Sequence, residues 1–97
     1  MEILKKASGR TGKFIAIEDN EEVADISWLV NDEGNYVIDH TWVSDTMNGK
    51  GLGLKLVQAI IDMAREDKKK VIPGCRFANK MFERHKDEFS DVWDQRD

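Results

Sequence analysis

The apolar positions of this chain change their spacing near residue 44, and the change separates a strand-rich first half from a helical second half. In the first half, short apolar runs rich in β-branched and aromatic residues alternate with polar and glycine-containing clusters, as in strands joined by turns. Because the turns are short, we expect consecutive strands to pair as an antiparallel meander. The predicted strands cover residues 1–6, 13–18, 23–30 and 36–43.

A long helix is predicted from about Gly49 to Asp67, because the apolar residues there fit a period of about 3.6. Its apolar stripe consists of Leu52, Leu56, Val57, Ile60, Met63 and Ala64. A short strand follows at residues 70–72, and the strand–helix–strand order places it parallel to the strand at 36–43. Pro73 has no N–H group for the ladder, so the two parallel strands should separate from that residue onward.

The end of the chain is predicted to contain a second helix over residues 76–85, a last helical turn within 86–93 and a frayed end over 94–97. The fold class is therefore α/β of the α+β type. We expect a mixed sheet of about four or five strands, a long central helix and a short C-terminal helix. Residues 1–97 are enough for a single domain with one core, which we expect to be a monomer.

Composition excludes several classes of function. A net charge of −4 argues against a nucleic-acid partner, because neutralising phosphates requires a basic surface. No apolar run approaches the length of a membrane span, and no secretory signal opens the chain. The single cysteine excludes an internal disulfide and suits a reducing compartment. We therefore expect a cytoplasmic protein with no membrane partner.

Three alternating glycines, Gly49, Gly51 and Gly53, stand between the fourth strand and the long helix. Glycines leave backbone N–H groups uncrowded, and the unpaired N–H groups of a helix's first turn point in the same direction. The junction therefore predicts a site for a phosphate-sized anion, with Lys50 as an additional contact. A structural role, in which the glycines only turn the chain, stays open on the pattern alone.

The same residues resemble the acetyl-CoA-binding motif of the GNAT N-acetyltransferase superfamily, Gln/Arg-x-x-Gly-x-Gly/Ala. Here the motif is Asn48-x-x-Gly51-x-Gly53, with Asn48 in place of the usual Gln or Arg. A short GNAT-like subfamily is similar in two further motifs. These are His40-Thr41-Trp42-Val43 before the glycines and Val71-Ile72-Pro73-Gly74-Cys75 after the helix.

The resemblance implies a minimal GNAT-like fold that uses acetyl-CoA as cosubstrate, no metal, and an amine acceptor that the sequence does not identify. The backbone of the fourth strand, where its parallel neighbour departs, is expected to hold the pantetheine arm, and the glycine turn is expected to hold the pyrophosphate. The predicted cofactor-binding residues are Thr41, Trp42, Val43, Asn48, Gly49, Lys50, Gly51, Leu52 and Gly53.

Cys75 and His40 are the catalytic candidates. Cys75 lies at or just before a predicted helix N-terminus, which together with Arg76 favours the nucleophilic thiolate, although a buried cysteine that only packs is the alternative. In the resembled subfamily a cysteine at this position faces the acetyl group. His40 is placed on one strand face with Ile38 and Trp42, and a Cys/His pair is a common way to activate a thiol. A core histidine without a chemical role is its alternative.

The sequence favours two functions over a purely structural domain whose glycines only turn the chain. The first is an N-acetyltransferase in which Cys75 accepts the acetyl group or assists its transfer. The second is a non-catalytic module that binds acetyl-CoA or docks on a partner. The tyrosine that many superfamily members use as a general acid corresponds by resemblance to Phe82, which has no proton to give, so slow chemistry is expected.

Overall fold

The computed structural model describes residues 1–95, which form one five-stranded sheet with helices packed against it. The strands are β1 (Glu2–Ser8), β2 (Thr11–Glu18), β3 (Glu21–Val30), β4 (Tyr36–Val43) and β5 (Val71–Pro73). The helical elements are a single 3-10 turn (Asp45–Met47), α1 (Leu52–Asp67), α2 (Arg76–Arg84) and α3 (Lys86–Phe89). The predicted α+β class, with a mixed sheet and a long central helix, is confirmed.

The strands lie in chain order across the sheet, β1 to β4 antiparallel and β5 parallel to β4. The parallel placement of the last strand is therefore confirmed. β3 begins at Glu21, earlier than predicted, because a two-residue turn lets pairing start at once. Asp19 and Asn20 form that turn with φ values of 52° and 65°, the backbone that fits the twist of a tight hairpin.

Each of two strands carries one extra residue that has no partner opposite it. Val23 is unmatched between β3 and β2, and Asp39 is unmatched between β4 and β3. Such a bulge reverses the alternation of side chains along its strand. Strict alternation of side chains between the two faces of β4 therefore ends at Asp39.

The bulge corrects the predicted orientation of His40. Paired residues point to the same face of a sheet, and Thr41 is paired with Ile26, which is fully buried. Thr41 therefore shares the buried face with Ile38, whereas His40 is paired with Ser27 and points to the opposite face. Placing His40 with Ile38 was wrong, because the sequence shows no sign of the extra residue.

α1 supplies much of the core because its apolar stripe is buried along the whole length of the helix. Leu56, Val57, Ile60 and Ala64 are each 0 % exposed and belong to one cluster with the buried face of β2 to β5 and with α2. Truncating a leucine or isoleucine in such a position to alanine costs about 2–5 kcal/mol. α1 is thus anchored on the sheet by the packing of its apolar stripe.

β4 and β5 separate where Pro73 predicts it. Their ladder ends at the pair of Ile38 and Pro73. Gly74 then passes so close to β4 that an added Cβ would lie 2.7 Å from the carbonyl oxygen of Ile38. The half of β4 beyond Ile38 consequently has no strand on its β5 side.

The end of the chain is more ordered than predicted at Asp94. The backbone N–H of Asp94 donates to the carbonyl of Val71 at 2.9 Å, and Trp93 forms a parallel bridge with the same residue. The prediction that the chain frays from Asp94 onward is therefore wrong for Asp94. Residues 96–97, which the prediction also covers, lie outside the described part of the chain. Within residues 1–95, no helix combines the length and the apolar character needed to cross a bilayer.

Candidate functional site

The turn between β4 and α1 leaves the first N–H groups of α1 without acceptors in the described part of the chain. Gly51 is the N-cap residue, in the left-handed conformation with φ 71°, and no side chain caps the helix. The first intrahelical bond joins the N–H of Lys55 to the carbonyl of Gly51 at 3.1 Å. The N–H groups of residues 52–54 precede that bond and so have no partner within the helix. This is the donor cluster that the sequence predicts.

The three glycines have different structural reasons. Gly49 and Gly51 have φ values of 81° and 71°, and a Cβ on either would meet no atom within 4 Å. They are required by backbone conformation. Gly53 lies inside α1, where a Cβ would come within 2.5 Å of the Phe77 ring of α2. Gly53 is therefore required by helix packing, which the regular spacing of the three glycines does not reveal.

A groove of about 410 Å³ opens beside this turn, and we call it the glycine groove. One side contains Met47, Leu54 and six predicted site residues, namely Val43, Asn48, Gly49, Gly51, Leu52 and Gly53. The other side comes from α2 and its C-terminal end, namely Phe77, Met81, Arg84 and His85. The groove thus has a backbone-donor wall and a wall that is apolar along α2 and polar at its end.

Arg84 and His85 were not among the predicted site residues. Only the packing of α2 on α1 places both residues at the groove. Arg84 is exposed and makes no hydrogen bond or ion pair within residues 1–95, whereas the Nδ1 atom of His85 lies 3.8 Å from Glu88 Oε1. Lys50, at the turn itself, is also exposed.

Cys75 is the N-cap residue of α2, as predicted, and its sulfur has two polar neighbours. The Sγ atom accepts a hydrogen bond from the backbone N–H of Ala78 at 3.5 Å, and it lies 3.3 Å from the hydroxyl oxygen of Thr41. The residue is half-buried and lines a second depression of about 530 Å³ with Pro73 and Arg76. Cys75 is therefore partly accessible and lies at the point where β4 and β5 separate.

His40 and Trp42 lie on the sheet face opposite Thr41. Their paired residues on β3 are Ser27 and Asp25. We call the sheet face that carries these four side chains the open face. The His40 side chain is 62 % exposed, and its Nε2 atom lies 3.8 Å from Oδ1 of Asp25. That carboxylate oxygen is buried and has no hydrogen-bond partner among the described residues. Thr41, rather than His40, is thus the side chain that contacts Cys75.

Phe82 lies in the core and not at the site. Its ring is fully buried against Phe89 and Trp93, with centroid distances of 5.2 Å and 5.4 Å. Position 82 therefore supplies no phenol that could act as a general acid near Cys75. The described residues also include no cluster of three or more histidine, cysteine, aspartate or glutamate side chains that could hold a metal ion.

A family model described as GCN5-related N-acetyl-transferase matches residues 13–92, from β2 to the last turn. The chain belongs to the GCN5-related N-acetyltransferase family. The matched range of this acetyltransferase family member contains the glycine turn, both walls of the glycine groove and Cys75. No curated protein matches the chain.

Solved structures agree with this family. A GCN5-like protein from Staphylococcus aureus is 35 % identical, with a TM-score of 0.73 over 97 % of this chain and 90 % of its own. Two other structures, each 18 % identical, share the fold. The ribosomal-protein-alanine N-acetyltransferase of Brucella melitensis has a TM-score of 0.65 over 93 % of this chain and 66 % of its own. A Bacillus anthracis protein, named for streptothricin acetylation and solved with acetyl coenzyme A, has a TM-score of 0.59 over 66 % of this chain and 37 % of its own.

Proposed function

We propose that this protein binds acetyl-CoA in the glycine groove and transfers the acetyl group to an amine. The observation that carries the proposal is the unpaired donor cluster at Gly51 and the first turn of α1. This cluster lines the glycine groove and can donate hydrogen bonds to phosphate oxygens. Family membership supports it, as does the Bacillus anthracis protein of the same fold that was solved with acetyl coenzyme A. The pyrophosphate accepts hydrogen bonds from this cluster, and Asn48 and Lys50 lie beside it.

The pantetheine arm extends from the groove along β4, where the ladder to β5 has ended. Backbone groups of Thr41, Trp42 and Val43 on that side of β4 have no β5 partner and bind the amides of the arm. This path leads toward Cys75, since Thr41 contacts its sulfur. The acetyl thioester would then lie next to the only cysteine of the chain.

Cys75 acts as the acetyl acceptor in the first step. Its thiolate attacks the thioester carbonyl, the bond to the CoA sulfur breaks, and CoA leaves as a thiolate that takes up a proton. The N–H of Ala78 and the hydroxyl of Thr41 are positioned to donate to the attacking sulfur. In the second step the amine attacks the acetyl-cysteine, and the sulfur leaves as it was before.

His40 is the candidate base for the second step. An amine must lose a proton when it forms the amide, and imidazole accepts protons near neutral pH. The Oδ1 atom of Asp25 lies 3.8 Å from the Nε2 atom of the ring on the open face. Because His40 and Cys75 belong to opposite faces of β4, His40 acts on an amine that reaches the acetyl group from the open face, through the gap between β4 and β5. The alternative function is binding of acetyl-CoA without transfer.

Titration with acetyl-CoA and CoA by calorimetry tests the binding claim. Gly51→Val should weaken binding about tenfold or more, because it displaces donors that are each worth about 1.5–3 kcal/mol to a charged phosphate oxygen. Gly9→Val is the matched control, since Gly9 also has a positive φ, 61°, and equally open surroundings in the remote β1–β2 turn. Asn48→Ala keeps the backbone and should cost no more than about 0.5–1.5 kcal/mol. Equal affinities of folded Gly51→Val and Gly9→Val would remove the assignment.

A further inference from the structure

Among residues 1–95, Arg84 is a cation without a counter-ion, and it lies on the wall of the glycine groove that faces the glycine turn. The side chain is exposed, lines the groove, and makes no hydrogen bond or ion pair within residues 1–95. This arrangement is notable in a protein of net charge −4, where carboxylates outnumber cations. The neighbouring groove residue His85 differs from Arg84, because its Nδ1 atom lies 3.8 Å from Oε1 of Glu88.

The position of Arg84 matters because the two walls of the groove offer different donors. The glycine turn offers backbone N–H groups at the N-terminus of α1, which suit the pyrophosphate. Arg84 stands at the C-terminal end of α2, across Phe77 and Met81, so its guanidinium is separate from that cluster. Apart from the pyrophosphate, CoA carries one other strongly anionic group, the 3′-phosphate on its ribose.

We propose that Arg84 binds the 3′-phosphate of CoA, so that the protein distinguishes CoA from 3′-dephospho-CoA. This inference rests on the proposed binding of acetyl-CoA in the same groove. A planar guanidinium can donate two parallel hydrogen bonds to phosphate oxygens, a geometry that a lysine cannot reproduce. The apolar surface of Phe77 and Met81 lies between the two anion positions and packs against the ribose and adenine.

The test compares the affinities of CoA and 3′-dephospho-CoA for the wild type, Arg84→Gln and Lys80→Gln by calorimetry. Lys80 is the matched control, because it lies on the same helix, carries the same charge and lines the Cys75 depression instead of the groove. Wild type and Lys80→Gln should prefer CoA by about tenfold. Arg84→Gln should lose that preference, with its affinity for dephospho-CoA changed less than about twofold. The expected tenfold preference for CoA corresponds to one charge-assisted hydrogen bond in a partly solvated groove.

Each other result overturns the inference in a distinguishable way. If the wild type binds both ligands equally, or if Arg84→Gln weakens both equally, then Arg84 does not bind the 3′-phosphate although the groove binds CoA. If Lys80→Gln has the same effect as Arg84→Gln, the preference comes from general charge and not from a site. If the wild type binds neither ligand, the proposed function itself fails. Circular dichroism of all three proteins verifies that each is folded.

Discussion

Cys75 has two hydrogen-bonding neighbours at its sulfur, and they make a specific kinetic prediction. If the hydroxyl of Thr41 stabilises the attacking sulfur, then Thr41→Val should slow acetylation of Cys75 by acetyl-CoA about two- to tenfold, the worth of one hydrogen bond. Valine has nearly the same shape, so the packing beside Cys75 is retained. Mass spectrometry of the intact protein follows the gain of one acetyl group.

The same assay separates the enzyme from the binding module. His40→Gln should leave acetylation of Cys75 unchanged, because His40 does not contact the thiol. It should slow the later transfer, because His40 is the proposed base for the amine. Cys75→Ala should bind acetyl-CoA and show no acetylation. Since Cys75 is the only cysteine, iodoacetamide labelling reports on it alone. A thiol that reacts only after unfolding would exclude the catalytic role and leave the binding claim intact.

At the level of elements, the contact between α1 and α2 controls the width of the glycine groove. Replacing Gly53 with alanine gains about 1 kcal/mol of helix propensity, but the new methyl group would overlap the Phe77 ring at 2.5 Å. Overpacking of this kind costs about 1–3 kcal/mol. We therefore expect Gly53→Ala to be neutral to destabilising by about 2 kcal/mol and to bind acetyl-CoA more weakly, because the displaced ring moves toward the groove.

A second substitution shows whether the effect comes from this contact. Phe77→Leu removes ring atoms that the new methyl group would meet, so the double variant Gly53→Ala/Phe77→Leu should be more stable than the two single effects add up to. Urea unfolding of the four proteins gives that coupling energy. Strict additivity would mean that Gly53 is required for another reason.

For the whole molecule, the start of β4 is tied to the end of α1 by the hydroxyl of Tyr36, which donates to Asp67 at 2.5 Å. Burial and this hydrogen bond to the carboxylate raise the pKa of Tyr36 from 10.0 to about 12. The folded state therefore holds a proton that the unfolded chain releases first. The resulting stability is fully present below pH 10 and is lost as the pH rises from about 10 to about 12.

We expect the free energy of unfolding to fall across this interval, and to fall less in Tyr36→Phe, where only other groups titrate. Because Tyr36 is only partly buried, solvent screening keeps the difference to about 1 kcal/mol or less. Tyr36 is the only tyrosine, so the absorbance of tyrosinate measures its titration directly. Asp67→Asn should bring the pKa of Tyr36 down toward 10. A native titration already centred at 10 would contradict the assignment.

The local elements were determined by the sequence because each depends on residues close together in the chain. The apolar period set α1, the missing N–H of Pro73 ended the pairing of β4 with β5, and the strand–helix–strand order made β5 parallel. The donor turn at Gly51 also follows from local backbone conformation. The same reasoning placed Cys75 at the N-terminus of α2, where the structure has it.

Tertiary structure decided which side chains meet, because that depends on register and on packing between distant segments. The extra residue at Asp39 turned Thr41 toward Cys75 and His40 away from Ile38, and no periodicity in the sequence signals it. Gly53 has the same spacing as Gly49 and Gly51, yet a glycine is needed there because the Phe77 ring of another helix occupies the space of a Cβ. Arg84 became part of the groove only because α2 packs on α1, since a charged residue at a helix end looks the same in the sequence whether it faces solvent or a ligand.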